Sequence, residues 1–287
     1  MTESAFLFGT VGAPISTPKK PGGSVGAILH TASLGLNTME LGWVQSVRVS
    51  EETCKAIHAA AMDVNVKLSV HAPYYINLNA TEEEWIKSRQ RLMDAAYYGY
   101  LAGATDIIFH PGSYFGQPVV EVLETALPRL LDCSKELETR SILVTLRPET
   151  MGKSAMLGSL EDTLLMSQID GKVLPCLDFA HLHARRGDGS MNSYDEWCQT
   201  LEMYADSLGM AALKSLHIHL SGIAYGPKGE KEHLPIQQSD MDVDALYKAL
   251  LKFDCGGRIL CESPIMEEDA IYLRDLWLKM AKEKPAD

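Results

Sequence analysis

Residues 105–113 read TDIIFHPGS: a short apolar, β-branched run that ends in histidine and passes straight into a Pro-Gly turn. A run of this length, closed by turn residues, reads as a buried strand. The same pattern recurs on both sides of it, giving candidate strands at 5–10, 38–42, 67–71, 105–110, 141–147, 173–178, 215–220 and 257–262. Between them lie stretches with helical spacing near 23–34, 51–62, 82–102, 118–138, 158–168, 191–208, 242–252 and 266–282, several opened by Ser, Thr or Asp residues able to cap free N–H groups.

Strand and helix therefore alternate eight times. An open doubly wound sheet also alternates, but it gathers its ligand groups at one switch point, whereas here polar residues close strand after strand. That distribution predicts an α/β fold, a single (β/α)8 TIM barrel spanning residues 1–287, and the chain length is usual for one. The stretch 221–240 (SGIAYGPKGEKEHLPIQQSD) reads as a long polar rim loop. No apolar run is long enough for a membrane span, and no signal peptide is evident, so a cytoplasmic, monomeric protein is expected. The six cysteines form no CxxC pair and read as reduced and buried. A net charge of −12 argues against indiscriminate attraction to polyanions, although bound cations would supply positive charge that side chains do not. The turn PGGSVG near residue 21 has neither P-loop nor dinucleotide spacing, so no nucleotide cofactor is expected.

Of the nine histidines, His71, His110, His181, His183, His217, His219 and His233 fall at or just beyond strand ends, and Glu149, Asp178 and Glu262 join them there. In a barrel those positions converge on the C-terminal face. Any one of them alone reads better as a hydrogen-bonded structural residue. Together they are costly unless cations neutralise the acids and take up the imidazole lone pairs. Mixed nitrogen and oxygen ligation favours zinc, with manganese or iron as alternatives, and the number of ligands calls for two or three ions.

The motifs HAPYYINL at 71–78, HPGS at 110–113, Glu149 followed by TMGK, CLDFAH at 176–181, the histidine of SLHIHL, His233 and CESP at 261–264 occur in an order that resembles the endonuclease IV family of AP endonucleases, within the xylose-isomerase-like barrels. The resemblance implies that His71 and His110 bind one metal, that Glu149 bridges it to a second completed by Asp178, His217 and Glu262, and that His181 and His233 hold a third. It implies hydrolysis of the phosphodiester 5′ to an abasic site in double-stranded DNA, with Glu149 also partnering the attacking water.

One position departs from the family pattern. Lys231 stands two residues before His233, where the family has an aspartate, and Glu230 or Glu232 is the available substitute. His217 and His219 share a strand face by their period of two. Motif alignment selects His217 as ligand and leaves His219 and His183 as hydrogen-bonding partners. Tyr74 and Tyr75 are candidates to stack on or wedge into DNA, and Arg147 either binds phosphate or pairs with an acid. The rival enzyme is a divalent-metal sugar or sugar-phosphate isomerase or epimerase on the same barrel. A third reading is a damage-binding protein without turnover.

Overall fold

The computed structural model describes residues 5–283. The expected 1–287 domain includes residues 1–4 and 284–287, which lie outside the described residues. Eight strands, β1 (Phe6–Val11), β2 (Thr38–Gly42), β3 (Lys67–His71), β4 (Ala104–Phe109), β5 (Thr145–Pro148), β6 (Cys176–Asp178), β7 (Leu216–Leu220) and β10 (Gly257–Cys261), form one all-parallel sheet in the order β5-β4-β3-β2-β1-β10-β7-β6. The two edge strands meet through isolated parallel bridges, Leu146 to Val173 and Glu149 to Cys176. The cylinder is thus closed by a short seam, not by a continuous ladder. This is the α/β barrel that the alternation predicts, and its eight strands lie at the predicted places to within a few residues.

Helices α1 (Gly23–Ser33), α2 (Glu51–Asp63), α3 (Glu82–Leu101), α4 (Val119–Thr139), α5 (Leu160–Ser167), α7 (Tyr194–Leu208), α8 (Val243–Lys252) and α9 (Glu267–Glu283) surround the sheet. Their apolar faces pack against the outward strand residues in two large clusters, one around Leu92, Ile107 and Leu130 and one around Trp197, Tyr204 and Trp277. The sequence starts these helices with real caps. Ser50 accepts from the Thr53 amide, and Ser159 and Ser193 close reciprocal capping boxes with Asp162 and Glu196. No helix among the described residues is long and apolar enough to cross a membrane.

Two elements differ from the sequence reading. A short helix, α6 (Phe179–Arg185), follows β6 at once, with Asp178 as its N-cap. The stretch read as a rim loop contains an ordered antiparallel hairpin of β8 (Gly222–Gly226) and β9 (Gly229–Leu234). Turn residues and charge made the hairpin look like loop, but its backbone is paired, and Tyr225 ties it down by donating to Asp240 at 2.6 Å.

The barrel interior is polar and tiered. Near the N-terminal ends of the strands, Arg147 and Arg258 share Asp106, at 2.7 and 3.0 Å. Above them lie Glu40, Ser69, Cys176 and His217, all buried. The C-terminal tier holds His71, Glu149, Asp178 and His219.

Candidate metal centre

Glu149, just past β5, sits at the middle of the upper tier with no exposed surface. One carboxylate oxygen faces His71 Nε2 at 3.3 Å and His110 Nε2 at 3.2 Å. The other faces His219 Nδ1 at 3.2 Å and His181 Nδ1 at 3.5 Å. His71 lies next to the Ala72 carbonyl through Nδ1, at 3.0 Å, which turns Nε2 inward. The turn after His110 is tightened by Gly112 at φ 124°, where a Cβ would come within 2.0 Å of the Asn77 side-chain oxygen. Only glycine lets the two loops approach this closely.

Asp178 serves two purposes. One oxygen caps α6 by accepting the His181 amide at 2.7 Å, and the other lies 3.3 Å from His181 Nδ1. Glu262, after β10, reaches His219 Nδ1 at 3.4 Å and His233 Nε2 at 3.8 Å. Of the predicted ligands, His71, His110, Glu149, Asp178, His181, His233 and Glu262 therefore converge.

His217 does not join them. Its Nε2 contacts Glu40 at 3.0 Å, one tier down, and it is His219 that faces Glu149 and Glu262. The structure thus sets His219, not the expected His217, beside Glu149 and Glu262, while His217 groups with Cys176 and His219 one tier down. Parallel strands carry their later residues toward the C-terminal rim, and strand pairing sets Asp178 opposite His219 but Cys176 opposite His217. Arg147 is corrected as well. Its guanidinium is buried, pairs with Asp106, and donates to the carbonyls of Pro175 and Ser215 at 3.1 Å each, away from the rim. Its alternative reading as an acid partner is the one realised. His183 pins α6 to its surroundings through Ser190 O and Asp240, each at 3.0 Å.

A further group forms where the hairpin crosses α6: His181, Glu230 and His233. Along β9 the register slips, so that Ala224 pairs with Glu232 and Tyr225 with Glu230. Lys231 is the extra residue of this bulge and is exposed. The slip brings Glu230 to 3.6 Å from His181 Nε2. Gly152 makes room for it, since a Cβ there would lie 2.7 Å from the Glu230 Cβ and 2.9 Å from the His181 ring.

The charge balance is that of a cavity built around cations. Burial opposes ionisation of His71 and His181, yet the surrounding carboxylates outweigh it and raise both to about 9. Asp178 moves the other way for a carboxyl and is pushed up to about 8, by burial and then, against His181, by Glu262 and Glu149. Glu149 stays well below the usual carboxylate range despite burial, because His219 and His110 favour its charged form. The second oxygens of Glu149 and Asp178 nevertheless have no hydrogen bond. Buried carboxylate atoms that face imidazole nitrogens at more than 3 Å without bonding to them suit an ion placed between. Two such groups are His71, Glu149, His219 and Glu262, and Glu149, Asp178 and His181, each with ligand atoms within 4.8 Å of one another. This donor set of imidazoles and carboxylates fits divalent metal.

On the rim beside this centre, Tyr74 stacks on His110, with centroids 5.0 Å apart and planes at 22°. Tyr75 and Phe115 are mostly exposed. Phe115 stands at φ 50°, an unusual conformation for an aromatic residue.

The profile of the xylose isomerase-like TIM barrel family matches residues 28–280. An uncharacterized protein of Methanocaldococcus jannaschii is 38% identical over 275 residues, covering 94% of this chain and 96% of that protein. Endonuclease 4 of Thermus thermophilus is 27% identical over 272 residues, covering 90% of this chain and 95% of that one. A crystal structure of a D-tagatose 3-epimerase-like protein superposes with a TM-score of 0.72 at 18% identity, over 92% of this chain and 98% of that one, which speaks for the fold alone. With the motifs from His71 to Glu262 gathered at one rim, the chain belongs to the xylose isomerase-like TIM barrel family and is similar to endonuclease 4 over most of its length.

Proposed function

We propose that the protein is a metal-dependent phosphodiesterase that cuts double-stranded DNA on the 5′ side of abasic sites. The observation that carries this reading is the position of Glu149, whose two oxygens face separate sets of ligands, His71 with His110 and His219 with His181. In this reading His71 and His110 with Glu149 would hold one ion, Asp178, His219 and Glu262 with Glu149 a second, and His181, Glu230 and His233 a third, each drawing on the buried groups that lie together at the rim. Zinc suits these ligands best, with manganese or iron as alternatives. Bound ions of this kind lower the pKa of a water and neutralise charge on a phosphate.

The rest of the task falls to the protein. Burial holds Glu149 and Asp178 away from solvent, so their geometry costs little reorganisation during reaction. Lys19, Lys20, Arg48 and Lys153 are exposed on loops that follow strand C-terminal ends, and Arg186 is exposed just after α6, so cationic side chains are present on this face to meet phosphate. Tyr74, Tyr75 and Phe115 line a groove of about 460 Å³ with Arg91, and aromatic faces of this kind stack on bases at an interrupted duplex.

The test is incision of a labelled duplex carrying one abasic analogue, after zinc, manganese or chelator treatment, beside a His110→Ala control. Metal-dependent 5′ incision that the control loses is the expected result. Solvent isotope entering a sugar carbon, with no incision by metal-loaded protein, would replace this reading with the epimerase. The pair His71 and His110 speaks for the hydrolase, because it adds a second set of nitrogen ligands to the carboxylate-rich group around Asp178.

A further inference from the structure

Glu40 lies in a strand that is otherwise apolar or small, TMELG at 38–42, and its carboxylate has no exposed surface. Nothing in the motifs pointed to it. Burying a lone carboxylate is expensive, so what surrounds it indicates what it is for. The hydroxyl of Ser69 donates to Oε2 at 2.7 Å, and His217 Nε2 meets the same oxygen at 3.0 Å, across 177 residues of sequence. The other oxygen, Oε1, faces His219 Nε2 at 3.1 Å, outside hydrogen-bonding angles, and neither of those two atoms bonds elsewhere.

We propose that Glu40 is a positioning residue for His219: its carboxylate accepts the Nε2 hydrogen and so presents the Nδ1 lone pair to an ion shared with Glu149 and Glu262. The inference rests on the reading of the upper tier as a metal centre, though not on any particular reaction there. In the structure described here, His219 Nδ1 is hydrogen bonded to Glu149 at 3.2 Å. An ion taking that nitrogen requires the ring hydrogen to sit on Nε2, and Glu40 Oε1 is the acceptor placed for it. A metal-bound imidazole is commonly held through its far nitrogen by a carboxylate in this way.

His217 then has a defined place. Its Nδ1 has no partner, so the bond to Glu40 is what orients it, and together with Ser69 it fixes Oε2 and leaves Oε1 for His219. Three donors converge on one group, which a carboxylate satisfies and a carboxamide does not. A glutamine at this position would turn an N–H against one of them.

The test is Glu40→Gln, read by zinc titration against a chromophoric chelator and by ring 15N spectra of the zinc-loaded protein. The expected result is a roughly 10- to 100-fold weaker affinity for one ion, with the others retained, and a shift of the His219 Nε2–H signal that marks a weakened hydrogen bond. Far-UV circular dichroism of the metal-free variant separates this from misfolding. Should Glu40→Gln fail to fold, Ser69→Ala is expected to weaken the same ion by a few-fold. A folded variant with wild-type affinity and ring spectra overturns the proposal, as does an equal loss at every ion. Wild-type protein that binds zinc as expected but leaves DNA uncut would count against the endonuclease reading and leave the role of Glu40 standing.

Discussion

Two histidines two residues apart on one strand look interchangeable, yet they stand in different environments. His219 touches Glu149 and Glu262, whereas His217 touches Glu40 beneath them. His219→Ala is therefore expected to remove one ion from the metal count and lower incision by a hundredfold or more, the usual order for losing a group on which the chemistry depends. His217→Ala is expected to keep the full count and weaken affinity about tenfold, as for a group that acts through a ligand. Elemental analysis beside kcat separates them, and a result with the two roles exchanged would restore the assignment from motif alignment. Arg147 makes a similar point. Proximity to Glu149 in sequence suggested phosphate, but a long side chain on an inward position can bend down the barrel as well as up, and Asp106 captures it.

At the level of elements, what could be read from sequence follows from what is periodic. The parallel strands are buried and are spelled as short runs rich in apolar and β-branched residues between helical stretches, so all eight were legible. The helix caps were legible because Ser50, Ser159 and Ser193 act through local bonds. The β8/β9 hairpin was not, since its strands are half exposed and rich in glycine and charge, and their pairing depends on contacts with α6. Helix α6 was missed because seven residues are too few to display a helical period. Most of the candidate site was legible because its proposed ligands sit at strand ends, where topology alone brings them together. Glu230 entered only as one of two substitutes, because a bulge, which no periodicity announces, decides between it and Glu232. The bulge makes a sharp prediction. Glu230→Ala is expected to weaken one ion by 10- to 100-fold, the scale on which metal-site partners act. Lys231→Asp, although it restores the family's residue, is expected to leave metal content unchanged, because position 231 is turned to solvent. Uptake of an additional ion by Lys231→Asp would show that the strand slips back into register.

For the whole molecule, the centre is expected to make stability fall with rising pH when it holds no metal and not when it is loaded. His71 and His181 titrate near 9 in the folded, metal-free chain and near 6.5 when unfolded, and Asp178 titrates near 8 in place of a value near 4. The folded state therefore binds more protons across this range. Stabilisation by the histidines is complete below about 6.5 and is lost as pH rises through about 9, and Asp178 loses its share on the way to 8. Chelated protein is expected to show a falling Tm from pH 6.5 to 9, whereas zinc-loaded protein, whose ligands are already deprotonated, is expected not to. Parallel profiles for the two would place the metal elsewhere. The same centre also bears on how the barrel holds its shape. Among the described residues, β5 and β6 are the only neighbouring strands of the cylinder joined by isolated bridges, and Glu149 and Asp178 stand on opposite sides of that gap. An ion gripped by both would work as a clasp on a hoop, so that the cofactor fastens the ring as well as equipping it. Amide exchange at the seam would then slow on loading more than anywhere else around the circumference.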